Sequence, residues 1–161
     1  MREDIHNSDI PVLCRACEAR HHGVCGALNP DQLLALAKQT TQKEVSAGSE
    51  LMATGEPITN YASIMSGVVK LSKLLSDGRR QIVGLQFAPD FLGRPFKEKG
   101  QVTAEAATGV NLCSFPKRVL DRLLAESPEL EHRLLEQSLQ ELDEAREWMV
   151  TLGRKTAQER V

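Results

Sequence analysis

The stretch Val68-Val-Lys-Leu-Ser-Lys-Leu-Leu-Ser-Asp77-Gly78-Arg-Arg-Gln-Ile82-Val83-Gly84-Leu85-Gln86-Phe87 carries two apolar-rich runs, 68–75 and 82–87, on either side of Asp77-Gly78. Asp-Gly reverses a chain tightly because glycine adopts positive φ without steric penalty, so the stretch predicts a β-hairpin. Val83, Leu85 and Phe87 alternate with Gly84 and Gln86, which predicts a strand with the apolar face in a core. The same punctuation continues outward. Gly48, Gly55, Pro57, Gly67, Pro89, Gly93, Gly100 and Gly109 mark turns between Lys43 and Phe115, and the runs 61–65, 102–106 and 110–115 are strand-like. Many short strands with regular turns read as a sandwich or barrel.

Helical patterns flank this β region. Asn29-Pro30-Asp31 is a helix start, with Asn29 as N-cap and Pro30 in the first helical position. Leu33, Leu34, Leu36 and Ala37 line a short helix ending near Gln39. Pro116 opens a second helix, with Val119, Leu120, Leu123 and Leu124 on one face. Ser127-Pro128-Glu129 stops it and starts a third, which runs to Leu152 and ends at Gly153. At 1.5 Å per residue this helix is about 37 Å long and projects beyond so small a sandwich. Steps of three and four place Leu135, Ser138, Leu142, Ala145, Met149 and Leu152 on one stripe, beside Leu134 and Leu139. Glu136, Gln140, Glu141, Asp143, Glu144 and Glu147 lie on the side expected to face water. The first turns of the stripe are expected to pack on the chain's own β region. The C-terminal half is expected to meet a second copy in a parallel two-stranded coil, a homodimer with no charge on its seam. Beyond it, Thr156-Ala-Gln-Glu159 is a capping-box signature. The sequence stops two residues later, so the natural protein is expected to continue past Val161.

Composition bounds the function classes. With 161 residues, a net charge of −2 and one Trp, one Tyr and four Phe, the chain suits one domain with an aliphatic core. That balance provides no electrostatic grip on nucleic acid. No apolar run approaches a membrane span, and Glu3, Asp4, His6, Asn7 and Asp9 break any signal-peptide pattern, which predicts a cytoplasmic protein. No P-loop, G-x-S-x-G or framed carboxylate pair is present, so an enzyme is not expected.

The chemistry-bearing stretch is Cys14-Arg-Ala-Cys17-Glu-Ala-Arg-His-His-Gly-Val-Cys25. Three of the four cysteines fall within these twelve residues, and Cys113 stands alone in the later strand. The loop has little apolar bulk of its own, while Ile10-Pro11-Val12-Leu13 just before it could dock beside it and shield a bound metal. Thiolates are soft ligands, which points to zinc or an iron–sulfur cluster. Disulfides are the alternative for four cysteines, and a reducing cytoplasm argues against them. Zinc would take Cys14, Cys17, Cys25 and one of His21 or His22 locally, leaving Cys113 a buried thiol. A cluster would recruit Cys113. Spacing alone ranks the two equally.

Several of these features together resemble the FNR branch of the Crp–Fnr superfamily of bacterial transcription regulators. They are the Cys14-x2-Cys17-x7-Cys25 loop, Cys113 in Asn-Leu-Cys-Ser-Phe-Pro, the turn Ala88-Pro89-Asp90-Phe91-Leu92-Gly93, and the tail from Leu152 to Val161. The x7 spacing is similar to that of FnrN-type regulators of nitrogen-fixing bacteria. The resemblance implies an α+β fold: a cyclic-nucleotide-binding-type β-roll, or double-stranded β-helix, with flanking helices and a long C-terminal dimerisation helix. It divides the chain into a cysteine loop (1–28), a β-roll (29–126), a dimerisation helix (127–153) and the start of a DNA-binding domain (154–161). It also implies an oxygen-labile [4Fe–4S] cluster on Cys14, Cys17, Cys25 and Cys113. Occupancy of that cluster would govern dimerisation, with promoter DNA and RNA polymerase as partners of the full-length protein only. Cyclic nucleotide is not expected. The family's nucleotide binders place a Glu after the turn glycine and an Arg-Ser pair later, where this chain has Gly93-Arg94-Pro95 and Val102-Thr103-Ala104.

Overall fold

The computed structural model describes residues 10–160, so the polar stretch before Ile10 lies outside it. Eight strands form two antiparallel four-stranded sheets: β1 (Thr41–Val45), β8 (Val110–Pro116), β3 (Asn60–Ser66) and β6 (Phe91–Leu92) in one, and β2 (Glu50–Met52), β7 (Thr103–Ala106), β4 (Val68–Leu74) and β5 (Arg80–Phe87) in the other. Four helices accompany them: α1 (Glu18–His21), α2 (Pro30–Ala37), α3 (Lys117–Glu126) and α4 (Pro128–Gly153). This is the β-roll with flanking helices and a long C-terminal helix. Strands β1, β2 and β6 carry no apolar run long enough to announce them. They are held by pairing with β8, β7 and β3.

Two cores result from the alternation of side chains along β3 and β8. Ala62, Ile64, Val110 and Leu112 face the roll interior, with Val69, Leu92, Ala104 and Ala106. Tyr61 and Phe115 face the other way, into a core shared with Ile10, Val24, Cys25, Leu33, Leu36, Leu120 and Leu130. The first sheet is thus covered on its outer side by the helices and the cysteine loop. The Tyr61 hydroxyl donates to Asp121 Oδ1 at 3.2 Å and ties β3 to α3.

The hairpin forms, but its inner face differs from the one the alternation predicts. Gln86 is 6% exposed, whereas Val83 and Phe87 are 40% and 49% exposed. The register steps from Leu71↔Gly84 to Ser72↔Ile82, leaving Val83 as the extra residue of a β-bulge. A bulge breaks the two-residue alternation of a strand. Of the buried Gln86 amide, Nε2 donates to the Phe91 carbonyl at 3.2 Å. The turn is a three-residue loop in which Gly78 has φ 88° and the Leu75 amide donates to the Arg79 carbonyl at 2.8 Å.

Helix starts fall where the sequence predicts them. Asn29 caps α2 and forms a full capping box with Gln32, and Ser127 Oγ accepts from the Leu130 amide at 3.3 Å. Helix α4 has 26 residues, about 39 Å. Leu130 is buried in the outer core, but Leu135, Leu142, Met149 and Leu152 are exposed along the predicted stripe. Glu141 is exposed, as its place on the water-facing side predicts, and its carboxylate also accepts from Gln86 Nε2 of β5 at 3.4 Å. No helix among the described residues is long and apolar enough to cross a membrane.

Candidate metal centre

The cysteine segment is largely enclosed although it has little apolar bulk of its own. Ala19, Val24, Cys17 and Cys25 are buried, and Ile10 docks into the same core as Cys25. The chain turns through one-turn 3-10 helices at Val12–Cys14 and Val24–Ala27, with α1 between them. The few apolar side chains suffice because the outer face of the first sheet and helix α4 supply the rest of the packing. Of the apolar patch expected to shield the site, Ile10 and Leu13 turn inward and Val12 stays exposed.

All four cysteines are free thiols. They line one cavity of about 20 Å³ with Leu13, Arg20 and Ser63. Strand pairing brings the fourth one in: Cys113 of β8 lies opposite Ser63 of β3, so both side chains emerge on the sheet face that the loop covers. Neither histidine lines the cavity. His21 Nε2 lies 3.5 Å from the Arg15 carbonyl, and His22 Nε2 lies 3.7 Å from Glu18. The local zinc set of three cysteines and a histidine is therefore not the arrangement found.

Burial makes Cys14, Cys25 and Cys113 reluctant acids. Desolvation, followed by the neighbouring Cys17, pushes the Cys14 thiol up to about 11, against the pull of the Arg20 guanidinium. Desolvation first, then Cys17 and Cys14, pushes Cys113 up to about 12. Cys25 is driven higher by burial and by the other three sulfurs, despite the favourable influence of Ser63. A metal bound here must displace protons and would partly neutralise the repulsion among the sulfurs.

The donor set fits a soft metal or an iron–sulfur cluster, with four thiols and no carboxylate around an apolar recess. Among the described residues no three His, Cys, Asp or Glu side chains stand at coordinating geometry. The cavity has room for about one water-sized sphere. Loop and strand must therefore part to admit anything larger.

Comparison with known proteins places the fold. Residues 42–127 match the cyclic nucleotide-binding domain family. A "Probable transcriptional activator" of Rhizobium leguminosarum bv. viciae is 51% identical over 160 residues, covering 99% of this chain and 67% of that protein. The chain belongs to the Crp–Fnr family. A second Crp–Fnr relative, the transcriptional activator protein FnrL of Cereibacter sphaeroides, is 36% identical over 95% of this chain and 63% of its own length. The chain thus spans about two thirds of these relatives. The structure of FixK2 from Bradyrhizobium japonicum superposes with a TM-score of 0.67 at 28% identity, covering 73% of this chain and 60% of that one.

Within this Crp–Fnr chain, Arg20 is one of the loop donors that the sequence offers beside the thiols, and it lines the cavity. One cavity residue, Ser63, had no sequence signal as part of a site. Ser63 sits in a run of small and apolar residues, and only its register with Cys113 brings it to the thiols.

Proposed function

We propose that this chain is the sensor and dimerisation module of an oxygen-responsive transcription regulator, with Cys14, Cys17, Cys25 and Cys113 holding a [4Fe–4S] cluster. One observation carries the reading: thiols from two segments nearly ninety residues apart in sequence line a single cavity. When bound, the cluster would supply an oxygen-labile link between loop and sheet. The protein's part is to couple that link to α4. Cys25 belongs to the 3-10 turn Val24–Ala27, which packs on α4, and it shares its core with Leu130 of that helix. Parting the loop from Cys113 therefore displaces a turn in contact with the base of the dimerisation helix. DNA recognition falls to the part of the regulator that its relatives carry beyond this chain's span.

The small cavity favours one other reading, a single zinc ion on the same four thiols. Anaerobic reconstitution with iron and sulfide, followed by metal analysis and visible absorption, separates the two. The cluster reading expects brown protein with about four irons per chain, the composition of its cubane. Colourless protein holding one zinc, and unable to take up iron, refutes it. Each of Cys14→Ser, Cys17→Ser, Cys25→Ser and Cys113→Ser should abolish stable assembly, because a hydroxyl is a poor substitute for a soft thiolate. Full assembly in Cys113→Ser would exclude the strand cysteine from the set.

A further inference from the structure

Ser63 is 0% exposed. Among the described residues its Oγ has no hydrogen-bond partner. Native structures seldom leave a buried hydroxyl in this state, since it forfeits its hydrogen bonds to water and receives none in return. The group lines the cysteine cavity, directly across the strand pair from Cys113. The Cys25 sulfur lies beside it, but no hydrogen bond of proper geometry joins them. Other buried serines of the chain are differently placed. Ser127 caps α4, and Ser114 faces away from the thiol cavity although it neighbours Cys113 in sequence.

We propose that Ser63 is a positioning residue of the cysteine site, its hydroxyl donating a hydrogen bond to a sulfur of the bound cluster. This rests on the cluster reading above. An orphan donor facing four thiols finds its acceptor when those sulfurs become negatively charged. A hydrogen bond to a cluster sulfur draws electron density from the cluster, which raises its reduction potential and slows its oxidation. Ser63 would thereby set how readily the site responds to oxygen, without being a ligand.

The test compares the wild-type chain with Ser63→Ala and with Ser114→Ala, a nearby buried serine outside the cavity. All three are reconstituted anaerobically. Ser63→Ala should bind as much iron as wild type, bleach about tenfold faster in air, the scale of one hydrogen bond to a charged group, and show a lower midpoint potential. Its metal-free form should unfold at a urea concentration no lower than wild type, because the lost hydroxyl had no partner there. Ser114→Ala should keep the wild-type bleaching rate and potential. Wild-type rate and potential in a fully loaded Ser63→Ala overturn the role of Ser63 and leave the cluster reading intact. An equal shift of both quantities in Ser114→Ala overturns that role as well. A wild-type chain that takes up no iron overturns both.

Discussion

At Gly23 the cysteine loop passes so close to its surroundings that a β-carbon has nowhere to go. It would lie 2.9 Å from the Ala19 Cα, the Ala19 carbonyl oxygen and the Pro89 carbonyl oxygen. The backbone φ of −101° is open to any residue, so space and not conformation demands the glycine. All three obstacles are main-chain atoms and cannot rotate aside. Gly23→Ala should therefore push α1 away from the 88–90 turn, at a cost typical of overpacking, about 1–3 kcal/mol. A lower urea midpoint with an unchanged slope checks this. An unchanged midpoint would mean that the loop is not docked as described.

Helix α4 meets strand β5 through a polar pair. Glu141 accepts from Gln86 of β5 and from Gln137 of its own helix. Burial against the strand raises its pKa above the ordinary carboxylate value, and Asp90 and Glu144 add to the rise, against the two glutamine hydrogen bonds. The folded state therefore holds this proton more tightly than the unfolded chain does. Its contribution to stability is full in acid and declines as pH rises from the ordinary carboxylate range through the raised value. At neutral pH the ionised form is a cost. Glu141→Gln should relieve it by less than about 1 kcal/mol, because the side chain remains open to solvent screening. The gain should appear at pH 7 and vanish near about pH 3, where the carboxyl is protonated in both states. An equal difference in urea midpoint at both pH values would show that the carboxylate is not perturbed by the fold.

Among the described residues, α4 leaves a large apolar face uncovered. Leu135, Ser138, Leu142, Ala145, Met149 and Leu152 run along α4, and Met149 is 72% exposed. A roll of this size packs only the first turns of a helix about 39 Å long, through Leu130 and Leu134. The stripe is apolar and uncharged, and Ser138 and Ala145 are small enough for close approach of two backbones. We expect a parallel dimer through this seam even without metal at high protein concentration. Leu142→Glu would bring like charges face to face and should yield monomers. Sedimentation of that variant as a dimer at micromolar concentration would place the interface elsewhere.

Local chemistry determined much of this protein without help from the fold. Caps at Asn29 and Ser127, the Asp77-Gly78 reversal, the strand runs at β3, β4 and β8 and the length of α4 all follow from interactions within a few residues. The stripe on α4 follows from helical periodicity alone. The four cysteines stood out as candidates, since thiols in that spacing have few other uses. Only the tertiary structure decided which partners those residues meet. The register that pairs Gln86 with the buried Val69 turned the other face of β5 inward, and the short β6 exists because β3 offers it an edge. Residues without apolar bulk in the cysteine loop became buried because a sheet and a helix close over them. Ser63 joined the site through a register with Cys113 that links residues fifty positions apart in sequence. Such placements depend on long-range pairing, and periodicity within a window does not carry that information.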